Sequence, residues 1–325
     1  MGDTLDRRLR EADPSSIRRT DPLSVRALNE LKHYEATESA RAPAARTSQP
    51  RHVGRMPVIT GLAAASLMIV VALFVTFVRP DAAVASTPPL LALTPVQTGA
   101  GELLEILRMA RLDGPDAASS IRAQSWDLST SIAEDGSIEY SEIEPQWSET
   151  TFASDGSVRV KRVAAEPFPG QEAKGLPTAG TVLADDTYSS QEWAFPAESG
   201  PPTDPAKVAA YLAEFSGNPS LTAGDALREI SGIISNYLLS RDQEAALIGY
   251  LRTLPALTVA GETTDRLGRV GIAFRATDRS PGEFEDLLII SPVLGQIIAS
   301  ETIYVGPQRA ETASPAVISY TAWER

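Results

Sequence analysis

The chain has 325 residues, a formal net charge of −13, 43 % hydrophobic residues and no cysteine. Without Cys there are no disulfides, thiolate nucleophiles or Cys-based zinc sites, so any exported part must fold on its apolar core alone. The strong acidic excess disfavours nucleic acid and anionic lipid surfaces as partners.

Residues 1–55 carry a net charge of +3, leaving −16 for everything downstream. Two short amphipathic helices are predicted in this basic segment. Thr4–Ala12 places Leu5 and Leu9 on one face. The second begins at Asp21-Pro22, an N-cap followed by Pro at the first helical position. Leu23, Ala27, Leu31 and Tyr34 then recur on one face of it, a surface suited to a cytoplasmic protein partner. Two such helices cannot bury a core by themselves, so this region folds loosely or on its partner. Glu38–Arg55 reads as a disordered tether, and His33 as a solvent-facing residue of the second helix. Both histidines, His33 and His52, precede the next segment, which removes His-based triads and zinc ligands from everything after it.

Met56–Val78 is a run of 23 residues without a charge. As a helix it would measure about 35 Å, enough to cross a ~30 Å hydrocarbon core. Arg41, Arg46, Arg51 and Arg55 precede it, whereas only Arg79 and then Asp81 flank its far end. Basic flanks stay in the cytoplasm, so a cell-membrane, single-pass topology with the N-terminus inside is expected. Ala83-Val84-Ala85 has the small-x-small pattern of a signal-peptidase site. The 55 residues ahead of the span and its length both argue for an uncleaved signal anchor. Residues 79–100, rich in Pro, Ala and Thr, read as a linker to an exported domain at 101–325.

In that domain the periodicity predicts a helix over Gly101–Leu112, then strands at Ile121–Ile132, Ser137–Ile143, Gln146–Ala153 and Ser157–Val163. Asp135-Gly136 and Asp155-Gly156 supply hairpin turns. Pro167–Gly200 reads as irregular. Helices are expected from Asp204-Pro205 to Phe215, over Ala223–Leu239 and over Arg241–Thr253. Five strands close the chain: Leu257–Thr263, Val270–Thr277, Phe284–Ser291, Gln296–Tyr304 and Ala316–Trp323. A helix, then strands, then helices, then strands argues α+β, with a curved antiparallel sheet packed by helices.

No P-loop, Gly-x-Ser-x-Gly or dinucleotide fingerprint is present, so the expectation is a non-enzymatic protein with no metal or other cofactor. Paired carboxylates and Ser-Lys chemistry stay formally open. Glu283, Glu285 and Asp286, like Glu142, Glu144 and Glu149, read as solvated strand residues rather than metal ligands. Trp126, Trp147 and Trp193, with Phe195, are the candidate ligand contacts. Together with Trp323 the tryptophans are also natural packing anchors.

Several stretches carry a resemblance: Asp21-Pro22 before a helix; Trp126, Asp135-Gly136, Trp147 and Asp155-Gly156-Ser157; Pro202-Thr203-Asp204-Pro205 with Ala209-Ala210-Tyr211-Leu212; and Leu254–Val259 with Gly261, Asp265, Gly268 and Val270–Ala273. In their order they resemble a family of actinobacterial single-pass membrane proteins known by a locus-tag name. Such proteins are often encoded beside extracytoplasmic-function sigma factors. The family has no established activity and no catalytic residues to carry over. What the resemblance implies is an envelope sensor or regulator, with a sigma factor as the cytoplasmic partner. The zinc anti-sigma pattern of His and paired Cys is absent here. The exported part also looks broadly like periplasmic lipoprotein carriers, which implies the alternative of a membrane-tethered carrier for lipids or other apolar envelope molecules.

Overall fold

The computed structural model describes residues 85–116, 119–132, 138–173, 175–193, 200–309 and 312–325. The 1–55 segment, the apolar run Met56–Val78, the Asp135-Gly136 turn and Phe195 lie outside the described residues. Among those described, no helix is long and apolar enough to cross a membrane.

The domain opens with α1 (Ala100–Asp113), followed by β1 (Ser120–Ile132), β2 (Ile138–Ile143), β3 (Gln146–Phe152), β4 (Val158–Ala164) and β5 (Val182–Tyr188). Three helices follow: α2 (Pro205–Ser216), α3 (Ala223–Asn236) and α4 (Arg241–Leu251). The last strands are β6 (Thr258–Thr264), β7 (Val270–Ala276), β8 (Phe284–Ile290), β9 (Ile297–Tyr304) and β10 (Ala316–Glu324). All ten strands form one curved antiparallel sheet in the order β5-β4-β3-β1-β10-β9-β8-β7-β6, with β2 paired to the far half of β1. The first and last strand runs therefore join at β1–β10. Irregularities at Ile289/Ile290, Val317/Ser319 and Val259/Gly261 add the local bends that curve such a sheet.

Local chemistry explains the helix starts. Asp204 accepts a hydrogen bond from the Ala206 N–H, with Pro205 in the first turn. Thr222 with Asp225, and Ser240 with Gln243, form complete capping boxes. The apolar face of α3 is buried, with Leu227, Ile230, Ile233 and Ile234 each no more than 1 % exposed. It packs with Phe274, Leu288, Ile290 and Trp323 from the sheet.

Three expectations need correction. Residues 182–188, read as irregular, form β5. Its sequence VLADDTY shows no buried face and is mostly half-exposed or exposed, so an edge strand of this kind leaves no core periodicity to detect. Asp286, read as solvated, is only 2 % exposed, because it faces the helices and is held by Arg279. Thirdly, the linker reading holds only in composition from Ala85 onward, since that stretch is docked. Ala85 bridges Thr312, Leu91 packs on the sheet, and Thr94 exchanges two 2.8 Å backbone hydrogen bonds with Glu262 of β6. Thr263 Oγ1 also donates to the Ala92 carbonyl. Residues 85–94 thus form a strap from the β9–β10 connection to the free edge of β6, with Leu91 on the apolar cluster opposite the helices.

Candidate binding cleft

A cleft of about 220 Å³ opens between α3 and the sheet. One wall is the α3 side carrying Leu227, Arg228, Ser231, Gly232 and Ser235; the floor includes Asp286, Ser300, Thr302, Ser319 and Thr321. Strand register explains the floor. Asp286, Thr302, Ser319 and Asp127 lie opposite one another across β8, β9, β10 and β1. The adjoining row is Leu288, Ser300, Thr321 and Ser125. Alternation along each strand points these side chains to the same face.

The first row is internally satisfied. Arg279 holds Asp286 with two bonds of 2.8 and 3.0 Å, and Thr302 Oγ1 donates to it at 2.9 Å. Ser319 Oγ donates to Asp127 at 2.5 Å. On the helix, Ser231 and Ser235 donate to the carbonyls of Leu227 and Ser231, and Ser235 also accepts from Trp323 Nε1 at 3.0 Å. The hydroxyls of Ser300 and Thr321 have no hydrogen-bond partner among the described residues. Both are half-buried, and they face one another across β9 and β10 with Ser125 next in the row. Exposed Arg228 stands at the rim. This is a surface of hydroxyl donors and acceptors in which Asp286 is already paired with Arg279, suited to a polar segment or polar small molecule.

The tryptophans singled out from the sequence do not meet in this cleft. Trp126 points to the opposite face, stacked on Tyr320 at 4.4 Å and near Phe168 at 6.0 Å. Trp147 is half-buried on β3, beneath the Arg122 guanidinium at 4.1 Å. Trp193 follows β5 and packs on Tyr188 at 5.4 Å. Trp323 is 1 % exposed and belongs to the core under α3. The cleft residues themselves escaped sequence reading. Their one signal is polar alternation at Ser300/Thr302 and Ser319/Thr321, which reads equally well as a solvent-facing strand surface.

Beside Trp126 on the opposite face lies Glu301, 2 % exposed and bonded through Oε1 to Arg266 Nε at 2.8 Å. Burial raises its carboxyl above the ordinary 4.5, outweighing the opposing pull of Arg266; Asp265 adds to the rise. A carboxyl with a raised folded value stabilises the fold fully below the unfolded value and loses that contribution as pH rises through the folded one. Glu301→Gln removes this titration. Denaturant unfolding at pH 4.5 and near neutrality is therefore expected to show a smaller loss of stability with rising pH in the variant than in the wild type. An equal or steeper loss in the variant would contradict the assignment.

The fold and cleft together define a curved-sheet-and-helix domain with a polar groove under α3. No family model matches the chain, and no curated protein matches it. Among solved structures it is similar to a chain of the MucB complex with MucA(peri), at 12 % identity and TM-score 0.27, covering 69 % of this chain and 53 % of that one. A chain of the Pseudomonas aeruginosa MucA/MucB complex gives 11 % identity, TM-score 0.26 and coverages of 69 % and 55 %. An outer membrane lipoprotein-sorting protein domain from Vibrio parahaemolyticus gives 9 % identity, TM-score 0.22 and coverages of 70 % and 92 %. The chain spans about half the length of the two MucA/MucB chains it matches. At these scores the functional reading rests on the cleft.

Proposed function

We propose that the protein is a non-enzymatic single-pass membrane protein whose extracytoplasmic domain binds a polar protein segment in the α3 cleft. In this reading it serves as an envelope sensor or regulator. Met56–Val78 is the anchor, and the Leu23, Ala27, Leu31 and Tyr34 face engages a cytoplasmic partner of the sigma-factor type. The topology is supported by the uncharged 23-residue run and the +3 and −16 charges of the regions before and after it. The observation that carries the binding assignment is the floor of Ser300 and Thr321 hydroxyls, half-buried and unpartnered beneath a helix. A carrier for lipids or other apolar molecules would present an apolar lining there. Here the two leucines that line the cleft, Leu227 and Leu287, are only 1 % and 2 % exposed.

The test is affinity purification of the full chain from membranes, comparing wild type with the Ser300→Ala/Thr321→Val double variant. Each hydroxyl contributes about 0.5–1.5 kcal/mol if it bonds the ligand, so affinity for a specific protein is expected to fall by roughly five-fold to a hundred-fold. Thermal stability should change little. Co-purifying lipid, retained equally by both forms and without a protein partner, would favour the carrier instead.

A further inference from the structure

The sheet face opposite the helices buries four polar atoms that find no hydrogen-bond partner among the described residues. They are Trp126 Nε1, Tyr320 Oη, Arg266 Nη2 and Glu301 Oε2. Trp126, Tyr320 and Glu301 are 3 %, 0 % and 2 % exposed. These groups belong to one centre: Trp126 stacks on Tyr320, the Arg266 guanidinium lies 5.8 Å from both rings, and Arg266 Nε bonds the other oxygen of Glu301. The Arg266 backbone N–H approaches the Tyr320 hydroxyl, but among the described residues no acceptor takes the phenolic proton.

Buried polar groups without partners are rare, because each keeps the full cost of leaving water when left dry. Four in one apolar layer of Trp126, Ile143, Phe168, Leu287 and Ile303 call for a common partner. Its chemistry follows from theirs. The indole and guanidinium only donate, the carboxylate only accepts, and the phenol does either, so the occupant must both donate and accept. It must also be neutral. Arg266 is paired with Glu301, and the neighbouring Arg269 with Asp265, so an arriving ion would stay uncompensated in a buried place. It must be small, since the four atoms have no solvent access and the layer is covered by Phe168 and by Leu91 of the strap.

We propose that Trp126, Tyr320, Arg266 and Glu301 form an internal hydration site, in which one or more ordered waters bridge the indole and phenol to the Arg266–Glu301 ion pair. Water meets each requirement, and such waters commonly make about three hydrogen bonds to otherwise orphaned groups. The site lies on the face opposite the α3 cleft and does not depend on the ligand proposed for it.

The sign of a conservative substitution tests this. Tyr320→Phe keeps the ring stacked on Trp126 and deletes only the hydroxyl. If water satisfies that hydroxyl, the full chain in detergent should lose about 2–4 °C in Tm, the shift that accompanies ~1 kcal/mol in a domain of this size. If the hydroxyl is dry, its removal relieves a penalty and Tm rises; a rise overturns the proposal. Independently, the Trp126 indole N–H resonance, assigned by its loss in Trp126→Phe, should show a direct magnetisation-transfer peak to water together with slow exchange. Absence of that peak also overturns the site, even if Tyr320→Phe alters packing.

Discussion

Replacing Glu244 by Ala should destabilise the protein by about 3–5 kcal/mol, the cost of leaving buried charge uncompensated. The carboxylate is fully buried and joins three parts of the domain. It accepts from Arg111 Nε of α1 at 2.6 Å, from Arg325 Nη2 at the end of the chain at 2.7 Å, and from the Ile297 N–H of β9 at 2.7 Å. Arg111 and Arg325 are only 1 % and 9 % exposed, and each also donates to a carbonyl, of Pro115 and Ile297 respectively. Removing the single anion leaves two guanidiniums facing each other out of water. Melting of the full chain in detergent should show a Tm lower by roughly 6–20 °C. A companion variant separates charge from packing. Arg111→Met/Glu244→Leu/Arg325→Met replaces the triad with apolar groups of similar reach and should recover much of the loss, since apolar replacement of a buried ion cluster is often neutral or better. If the triple variant is as unstable as Glu244→Ala, the charge account fails.

The second large effect is expected at Gly295, in the turn between β8 and β9. Its φ of +62° lies in the left-handed region, which alone costs a side-chain-bearing residue about 1–2 kcal/mol. Space is the greater constraint. A Cβ at this position would sit 2.2 Å from the Leu107 carbonyl oxygen, 2.3 Å from the Arg111 nitrogen and 2.8 Å from the Arg111 Cα. These are backbone atoms of α1 and cannot swing away. Gly295→Ala must lift the β8–β9 turn off the helix, straining the Arg111–Glu244 contact beside it. A loss of about 3 kcal/mol or more is expected, in the range reserved for named steric or buried-charge mechanisms. Gly268→Ala is the control: its φ is +80° but nothing lies within 4 Å of its Cβ position, so only the smaller conformational cost should appear in urea unfolding. Equal losses in the two variants would show that backbone conformation, and not contact with α1, dominates.

These two residues also mark where sequence reasoning stops. Glu244 stands in Ser240-Arg241-Asp242-Gln243-Glu244, which reads as a capped, charged first helical turn. Nothing local signals that α1 and β9 close over it. Pro292–Gly295 is legible as a turn because Pro and Gly punctuate strands, yet the turn type does not reveal that a helix backbone occupies the space beside Gly295. The cleft has the same character. Ser300/Thr302 and Ser319/Thr321 alternate visibly, but only the pairing of β8, β9, β10 and β1 aligns them into a floor. Strand register is a non-local property, set by which faces find a common core.

What the sequence determined by itself is what depends on neighbours a few residues away. Helix starts at Asp204-Pro205 and Thr222, the Asp155-Gly156 hairpin, the buried stripe of α3 and nine of the ten strands all follow from capping, turn chemistry and periodicity. The absence of Cys and the charge step across Met56–Val78 are of the same kind, being properties of composition. Tertiary structure decided the remainder, because those features arise from contacts between residues distant in the chain. Among them are β5 as an edge strand, the strap of residues 85–94 docked at β6, and Asp286 and Glu244 carried into the interior by their arginines. The two polar centres on opposite faces of one sheet belong with them: a row of hydroxyls under α3, and the ion pair beneath Trp126.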